Sequence, residues 1–325
     1  MSKIAYLFPG QGSQYIGMGK EFYDIYPEAQ AVWKLADKVL QNLYWQDKRE
    51  AQVEGGHPYS MEQLTFEENP YINITEYTQI AMLTMEVAIL KVLEAKGLKA
   101  EMAAGLSLGE YGALAAAGVM ELPDLFRIIR MRGIYMQEAY PEGGAMTAVL
   151  GLDGDAVAAI CEQTAKETGK VVSVANYNCP GQIVITGEAD AVAAASEALK
   201  EAGAKRCVPL KVSGPFHSKM LTGAGEKLGE ALKEVELHAF STPYITNVTA
   251  DYVTSPAGVK ELLRLQVSSS VRWQQSVERM IADGVDTFVE IGPGRSLSGF
   301  MRKINRDVTT CNIDKMEDFN KYVNR

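Results

Sequence analysis

The chain has 325 residues, of which 47% are hydrophobic and 22% charged, as in an ordinary globular protein. Its formal net charge of -9 argues against broad nucleic-acid binding, which needs a basic face. The length predicts two domains, or one domain with an insertion. Four scattered cysteines lack metal-type spacing, and the first apolar stretch is too short for a signal peptide. We therefore expect a cytoplasmic protein without a metal site or a membrane span.

The first part of the chain combines one apolar strand with several helices. Residues 3–8 are an apolar run that ends at a Pro-Gly pair, which predicts a buried strand leading into a loop. Helical periodicity follows in residues 19–42 and 76–97, and the polar stretch 45–70 between them indicates an irregular surface excursion. After a Gly-Ser turn, the pattern predicts two more helices, residues 110–117 and 123–137.

The middle of the chain has a different pattern of elements. It predicts the order β-α-β-β-α-β, the ferredoxin-like arrangement, over residues 145–152, 153–168, 171–178, 182–188, 189–203 and 205–213. We therefore predict a small α+β domain at residues 139–209. It would be inserted into a discontinuous large α/β domain made of residues 1–138 and 210–325.

The last part returns to alternating strands and helices. Residues 222–235, 257–266 and 273–283 are helical in pattern, whereas 243–248 and 287–292 read as strands. Strands, glycine-rich loops and helices in alternation indicate a mostly parallel sheet covered by helices. The predicted fold class of the large domain is therefore α/β.

The run Gly105-Leu106-Ser107-Leu108-Gly109 has the GxSxG pattern of a nucleophile turn. Small residues two positions before and after a nucleophilic serine relieve the crowding of the sharp turn that presents it. The following helix directs its positive N-terminal end towards the serine, which favours an oxyanion. The alternative is a Gly-Ser turn that only packs a helix against a sheet.

A nucleophilic serine needs a base, and the chain contains three histidines. His57 lies in the polar excursion and His238 in a helix-to-strand connection. His217 follows a Gly-Pro break after the last strand of the predicted insertion, where two domains would meet. His217 is therefore the favoured base, with a capping or surface histidine as the alternative.

Two further features could contribute to a site with a nucleophilic serine. FPGQGSQYIGMG (8–19) fails the dinucleotide and Walker patterns, so a backbone N–H near Gln11 could bind an oxyanion, or the loop could be a plain turn. Arg127, Arg130 and Arg132 would give one helix a basic face, which Arg127 and Arg130 share while Arg132 is turned away from both. An arginine turned inward would need an anion, such as a substrate carboxylate.

Six motifs, in order from residue 8 to about residue 300, resemble those of the malonyl-CoA:acyl carrier protein transacylase family: FPGQGSQ, GLSLGEY, MRGIYMQEA, ANYNCPGQIVITG, PFHS and EIGPG. The resemblance implies an α/β-hydrolase-like large domain with a ferredoxin-like insertion. It implies Ser107 as nucleophile and His217 as base and acid, with the main-chain carbonyl of Gln266 orienting the histidine. The backbone amides of Gln11 and Leu108 would form the oxyanion hole.

The same resemblance implies the substrates and their contacts. Malonyl-CoA and acyl carrier protein would be the partners, and no cofactor is expected because the phosphopantetheine belongs to the carrier. Arg132 would bind the malonyl carboxylate and Met136 would also bind substrate. Asn178 would line the thioester channel, and Phe216 would disfavour an α-methyl branch. Candidate docking residues for the acidic carrier are Lys205, Arg206, Lys211, Arg302 and Arg306.

The chain departs from the family pattern at Leu106, where most relatives have His, and at Ile80, where Pro is usual. The excursion at 45–59 is longer than usual. Two alternatives stay open: a free-standing acyltransferase or acyl hydrolase of a polyketide assembly line, and a non-enzymatic scaffold with a degenerate site.

Overall fold

The computed structural model of the chain describes residues 2–46, 60–140, 142–212 and 214–324. The strands are β1 (Ile4–Phe8), β2 (Met102–Gly105), β3 (Gly144–Leu150), β4 (Val172–Cys179), β5 (Gln182–Glu188), β6 (Arg206–Pro209), β7 (Tyr244–Ile245), β8 (Tyr252–Val253), β9 (Thr287–Ile291) and β10 (Thr309–Ile313). The helices are α1 (Lys20–Ile25), α2 (Pro27–Gln46), α3 (Met61–Phe66), α4 (Thr75–Ala95), α5 (Glu110–Ala117), α6 (Leu122–Ala139), α7 (Gly154–Thr168), α8 (Ala189–Glu201), α9 (Thr222–Lys233), α10 (Val259–Gln266), α11 (Trp273–Ala282), α12 (Ser296–Ile304) and α13 (Met316–Val323).

The larger sheet has the strand order β10-β9-β1-β2-β7-β8, and its strands run parallel except for β8. Side chains alternate between two buried faces, as a sheet covered on both sides requires: Tyr6 and Phe8 enter one apolar cluster, Ala5 and Leu7 the other. The prediction of an α/β fold with a mostly parallel sheet is confirmed. The loops after β1 and β2 meet at one edge because these strands are parallel neighbours.

The smaller sheet is antiparallel, with the strand order β4-β5-β3-β6. Helices α7 and α8 pack on it over a separate apolar core, and Asp153 caps α7 by accepting the Ala156 N–H. The backbone of Val271 bonds the edge strand β4, through Val271 N to Ala175 O (2.7 Å) and Tyr177 N to Val271 O (2.9 Å). These bonds attach the smaller sheet beside the larger one.

Several predicted elements differ in extent. The predicted helix 19–42 is two helices, because Tyr26 is extended and Pro27 begins α2. The predicted excursion 45–70 was wrong at residues 45–46, which end α2, and at 61–66, which form α3 with buried Met61 and Leu64. Residues 47–59 of this excursion, with His57, lie outside the described residues. The predicted strands 205–213 and 243–248 shorten to β6 and β7.

Besides α3, four elements were not predicted from the sequence: β8, α12, β10 and α13. Strand β10 forms the edge of the larger sheet next to β9, α12 connects β9 to β10, and α13 follows them. Within the described ranges, no helix is long and apolar enough to cross a membrane.

Candidate active site

Ser107 stands on a sharp turn between β2 and the short 3-10 turn that begins α5. Its φ is +57°, a left-handed conformation that a non-glycine residue adopts at an energetic cost of order 1–3 kcal/mol. A Cβ on Gly105 would lie 1.9 Å from the carbonyl of Gly109, and one on Gly109 would lie 2.1 Å from the oxygen of Phe8. Both glycines are therefore required by close backbone contact, as the GxSxG pattern predicted.

His217 is buried beside the serine. Its Nε2 lies 2.7 Å from Ser107 Oγ, and its Nδ1 lies 3.0 Å from the carbonyl oxygen of Gln266 and 3.1 Å from that of Ser269. Two carbonyl acceptors place the ring proton on Nδ1, so Nε2 accepts the serine hydroxyl. The structure thus brings together three residues predicted as the catalytic set. His238 lies elsewhere, 3.4 Å from Glu121.

The surroundings of His217 keep its imidazole neutral at physiological pH. Burial, reinforced by the positive charge of Arg132, lowers the pKa of His217 to about 4. A neutral imidazole with a free Nε2 lone pair can take a proton from Ser107. The site is therefore ready for general-base chemistry without a change of protonation state.

Arg132, on α6, is fully buried against the serine. Its Nη2 donates to Ser107 Oγ (3.2 Å) and Gln266 Oε1 (2.9 Å), and its Nη1 donates to Gln79 Oε1 (2.7 Å). These partners are neutral oxygens, and among the described residues Arg132 Nε has no partner. A buried guanidinium with neutral partners favours an incoming anion, because an ion pair would offset its lost hydration.

The predicted basic face on α6 was wrong for Arg130, whereas Arg132 turns inward, as its expected role of binding a carboxylate requires. Arg130 is buried, bonds Glu76 at 2.9 Å and lies over the ring of Tyr77, and Arg132 is buried as described above. Arg127 alone of the three reaches the surface, where it pairs with Asp124. Arg130 can be buried because the carboxylate of Glu76, on α4, neutralises its charge.

The residues predicted for the oxyanion hole lie on the two loops beside the serine. Gln11 follows β1 and lines the same cavity as Ser107, and Leu108 is the next residue after the serine. The Leu106 N–H donates to the Phe8 carbonyl at 3.0 Å, which holds the two loops together. The helix α5 begins at Glu110, so its positive end faces the same region.

A cavity of about 250 Å³ opens over the serine between the two sheets. Its lining includes three residues that were predicted to bind the substrate: Met136, Asn178 and Phe216. Asn178 is buried, and its Oδ1 has no partner among the described residues, so it can accept a hydrogen bond from a bound molecule. Leu106 also lines the cavity, so this departure from the family pattern places an apolar side chain there.

Three buried polar residues of the site were not predicted: Gln79, Glu110 and Asn247. Glu110 Oε2 accepts the Asn247 N–H (3.0 Å) and Gln266 Nε2 (2.8 Å), and burial raises the pKa of Glu110 to about 7. Asn247 follows β7, the neighbour of the strand that ends at the serine turn. Its position near the end of the predicted strand 243–248 was the signal that could have indicated it.

Comparison with known proteins agrees with this geometry. The acyl transferase domain family matches residues 5–313 of the chain. The malonyl CoA-acyl carrier protein transacylase of Bacillus subtilis is 44% identical over 319 residues, which is 98% of this chain and 95% of that protein.

Solved structures of similar proteins share the whole fold. The malonyl CoA-acyl carrier protein transacylase of Clostridium perfringens superposes with a TM-score of 0.90 at 40% identity, covering 99% of this chain and 96% of that one. A malonyl-transacylase in complex with a type II PKS acyl-carrier protein has a TM-score of 0.90 at 35% identity, covering 99% of each chain. The chain therefore belongs to the acyl transferase domain family that includes the malonyl CoA-acyl carrier protein transacylases.

Proposed function

We propose that this acyltransferase moves the malonyl group from malonyl-CoA to the phosphopantetheine thiol of an acyl carrier protein, in fatty acid biosynthesis. The observation that carries the proposal is the buried Arg132 guanidinium, 3.2 Å from a serine that also bonds a neutral histidine. A nucleophile beside an unpaired buried cation suits an acyl group that ends in a carboxylate.

In the first half of the reaction, His217 Nε2 takes the proton of Ser107 as Oγ attacks the thioester carbon. The backbone amides of Gln11 and Leu108 would stabilise the oxyanion. When the tetrahedral intermediate collapses, the C–S bond breaks and His217 returns the proton to the CoA thiolate. Malonyl-Ser107 remains, with its carboxylate held by Arg132.

In the second half, the carrier thiol replaces CoA. His217 takes the thiol proton, the sulfur attacks the malonyl carbonyl carbon, and the C–Oγ bond breaks as His217 protonates Ser107. Nδ1 keeps its proton and donates it to the carbonyl oxygens of Gln266 and Ser269, which hold the ring in the same orientation in both halves. The protein's own contribution needs no cofactor, because both thiols arrive with the substrates.

The carrier would dock on basic residues around the cavity mouth. One group lies in or beside the edge strand β6 and consists of Lys205, Arg206 and Lys211. The other group lies at or just after the end of α12 and consists of Arg302 and Arg306. All five side chains are exposed. Leu210 and Phe300, near these two groups in sequence, line the cavity. Charge reversal in each group should slow transfer to the carrier but spare loading from CoA, and equal loss of both steps would contradict this docking.

The finer domain description is also a proposal. The order β4-β5-β3-β6, with two helices on one face, supports a ferredoxin-like insertion at 139–209 within an α/β-hydrolase-like large domain formed by 1–138 and 210–325. The separate core of the smaller sheet supports the same division. Free cysteines in the described residues are consistent with action in the cytoplasm.

Intact mass spectrometry after brief exposure to malonyl-CoA tests the proposal. Wild-type protein should gain one malonyl group, and Ser107→Ala should gain none. Absence of the adduct from folded wild-type protein, or its persistence in Ser107→Ala, would overturn the proposal.

A polyketide pathway is the second candidate, because one similar structure is a complex with a type II PKS carrier. Transfer rates onto fatty acid and polyketide carriers would separate the two pathways.

A further inference from the structure

The side-chain amides of Asn247 and Gln266 bond the peptide groups on both sides of the nucleophile. Asn247 Oδ1 accepts the Ser107 N–H at 2.7 Å, and Asn247 Nδ2 donates to the Gly105 carbonyl at 2.6 Å. Gln266 Nε2 donates to the Ser107 carbonyl at 2.8 Å. Both side chains are buried, so these bonds are shielded from water.

The Asn247 side chain supplies hydrogen bonds to the backbone beyond the end of the pairing between β2 and β7. The last paired residues of β2 and β7 are Ala104 and Ile245, so the polar groups of Gly105 and Ser107 lie beyond the ladder. One planar amide supplies an acceptor and a donor to them, as a further strand residue would. A left-handed Ser107 persists only where its surroundings fix it, and these bonds do so.

Gln266 fixes the orientation of the next peptide. In a trans peptide, the C=O and the following N–H point in opposite directions. Because Gln266 holds the Ser107 carbonyl from one side, the Leu108 N–H points away from Gln266. The amides on either side are occupied, Ser107 N–H by Asn247 and Gly109 N–H by the Leu106 carbonyl at 3.0 Å.

We propose that Asn247 and Gln266 are positioning residues, whose side-chain amides make the Leu108 N–H, and not the Ser107 N–H, the oxyanion donor of the serine turn. This inference rests on the proposed acyl transfer. It also links two parts of the site, because Gln266 Oε1 accepts from Arg132 while its Nε2 holds the oxyanion peptide.

Asn247→Ala tests the role most directly. The two short hydrogen bonds of the Asn247 side chain go to Ser107 N–H and the Gly105 carbonyl, and neither involves Arg132 or His217. The matched control is Asn69→Ala: Asn69 also accepts backbone N–H groups (Tyr71, 2.9 Å) and donates to a carbonyl (Leu64, 3.0 Å), in a turn that lines no part of the cavity. Rapid-quench mass spectrometry gives the acylation rate, and malonyl-CoA binding is measured in a Ser107→Ala background.

We expect Asn247→Ala to slow acylation by about 10²-fold, the usual effect of losing one oxyanion donor, with substrate binding unchanged. Asn69→Ala should acylate at the wild-type rate. Equal rates for the two variants, or a loss explained by weaker binding, would overturn the positioning role. Wild-type protein that is not acylated would instead overturn the proposed function, so the two failures are distinguishable.

Asn247→Asp provides a second test, which can be used if the alanine variant does not fold. A protonated aspartic acid matches asparagine in shape, accepts the Ser107 N–H and donates to the Gly105 carbonyl, whereas the carboxylate repels that oxygen. The charged or titratable groups facing it are Glu110 on α5 and, beyond it, Arg132 and the neutral imidazole of His217. The ratio of variant to wild-type acylation should rise as pH falls from about 8 to about 5.5. A ratio independent of pH would overturn the inference.

Discussion

Replacing Arg132 with methionine should shift the acid limb of acylation to higher pH. His217 must be neutral to take the serine proton, so kcat/KM falls as pH falls through the pKa of the free enzyme's histidine. Burial and then the Arg132 charge lower that pKa to about 4. Arg132→Met removes the charge but leaves the burial, so the pKa should rise part of the way towards its ordinary value.

The size of the shift follows from the contacts. Arg132 Nη2 and His217 Nε2 both bond Ser107 Oγ, at 3.2 and 2.7 Å, so the two nitrogens are at most about 6 Å apart. Two unit charges about 6 Å apart repel by about 3 kcal/mol at an effective dielectric constant of about 20. That energy corresponds to about two pKa units, so the limb should move from near pH 4 to about pH 5–6.

The assay is single-turnover formation of the malonyl adduct, read by mass at a series of pH values. Arg132→Lys retains the positive charge and should keep the wild-type limb, although it loses the forked donor geometry. Arg127→Met removes an arginine that pairs with Asp124 on the surface of the same helix, and should change nothing. If the acid limb of the Arg132→Met profile lies at the same pH as that of the wild-type protein, the electrostatic explanation is refuted.

Three other changes test separate parts of the structure. Gly105→Ala should lower the melting temperature sharply, because its Cβ would lie 1.9 Å from Gly109, whereas Gly223→Ala on α9 meets no atom within 4 Å and should not. Glu86 is buried without hydrogen-bond partners in the described structure, and burial raises its pKa well above 4.5. The folded state thus holds this proton after the unfolded state has lost it, so stability should fall as pH rises above about 4.5, and Glu86→Gln should flatten that dependence of the melting temperature. Phe216→Ala should raise the rate with methylmalonyl-CoA relative to malonyl-CoA, since the ring lines the cavity; an unchanged ratio means that the ring does not exclude the branch.

The sequence was most informative where chemistry restricts the residue type. Ser107 and His217 were predicted from the turn pattern and from a short set of histidines, and the structure brings their side chains together. The glycines at 105 and 109 were predicted for the same reason, because backbone contact leaves no room for a side chain. Such restrictions are local and can be read along the chain.

The sequence was least informative where a residue acts through distant partners. Asn247 lies 140 positions from Ser107 in the chain, and its role depends on the pairing of β2 with β7. Arg130 and Arg132 have the same residue type and similar sequence surroundings, yet one pairs with Glu76 and the other has neutral partners. Helix periodicity cannot separate them, because the partner lies on α4 rather than on α6.

Because the charge of Arg132 is unpaired, binding of a substrate carboxylate should also change the pKa of His217. In the free enzyme this charge lowers the pKa of His217, whereas a bound malonyl carboxylate would neutralise it. The histidine should then become a stronger base once a diacid is in place. The acid limb of kcat, which reports the bound complex, should therefore lie at higher pH with malonyl-CoA than with acetyl-CoA, which carries no carboxylate. Coincident limbs for the two substrates in single-turnover acylation would show that Arg132 holds the carboxylate without affecting the base.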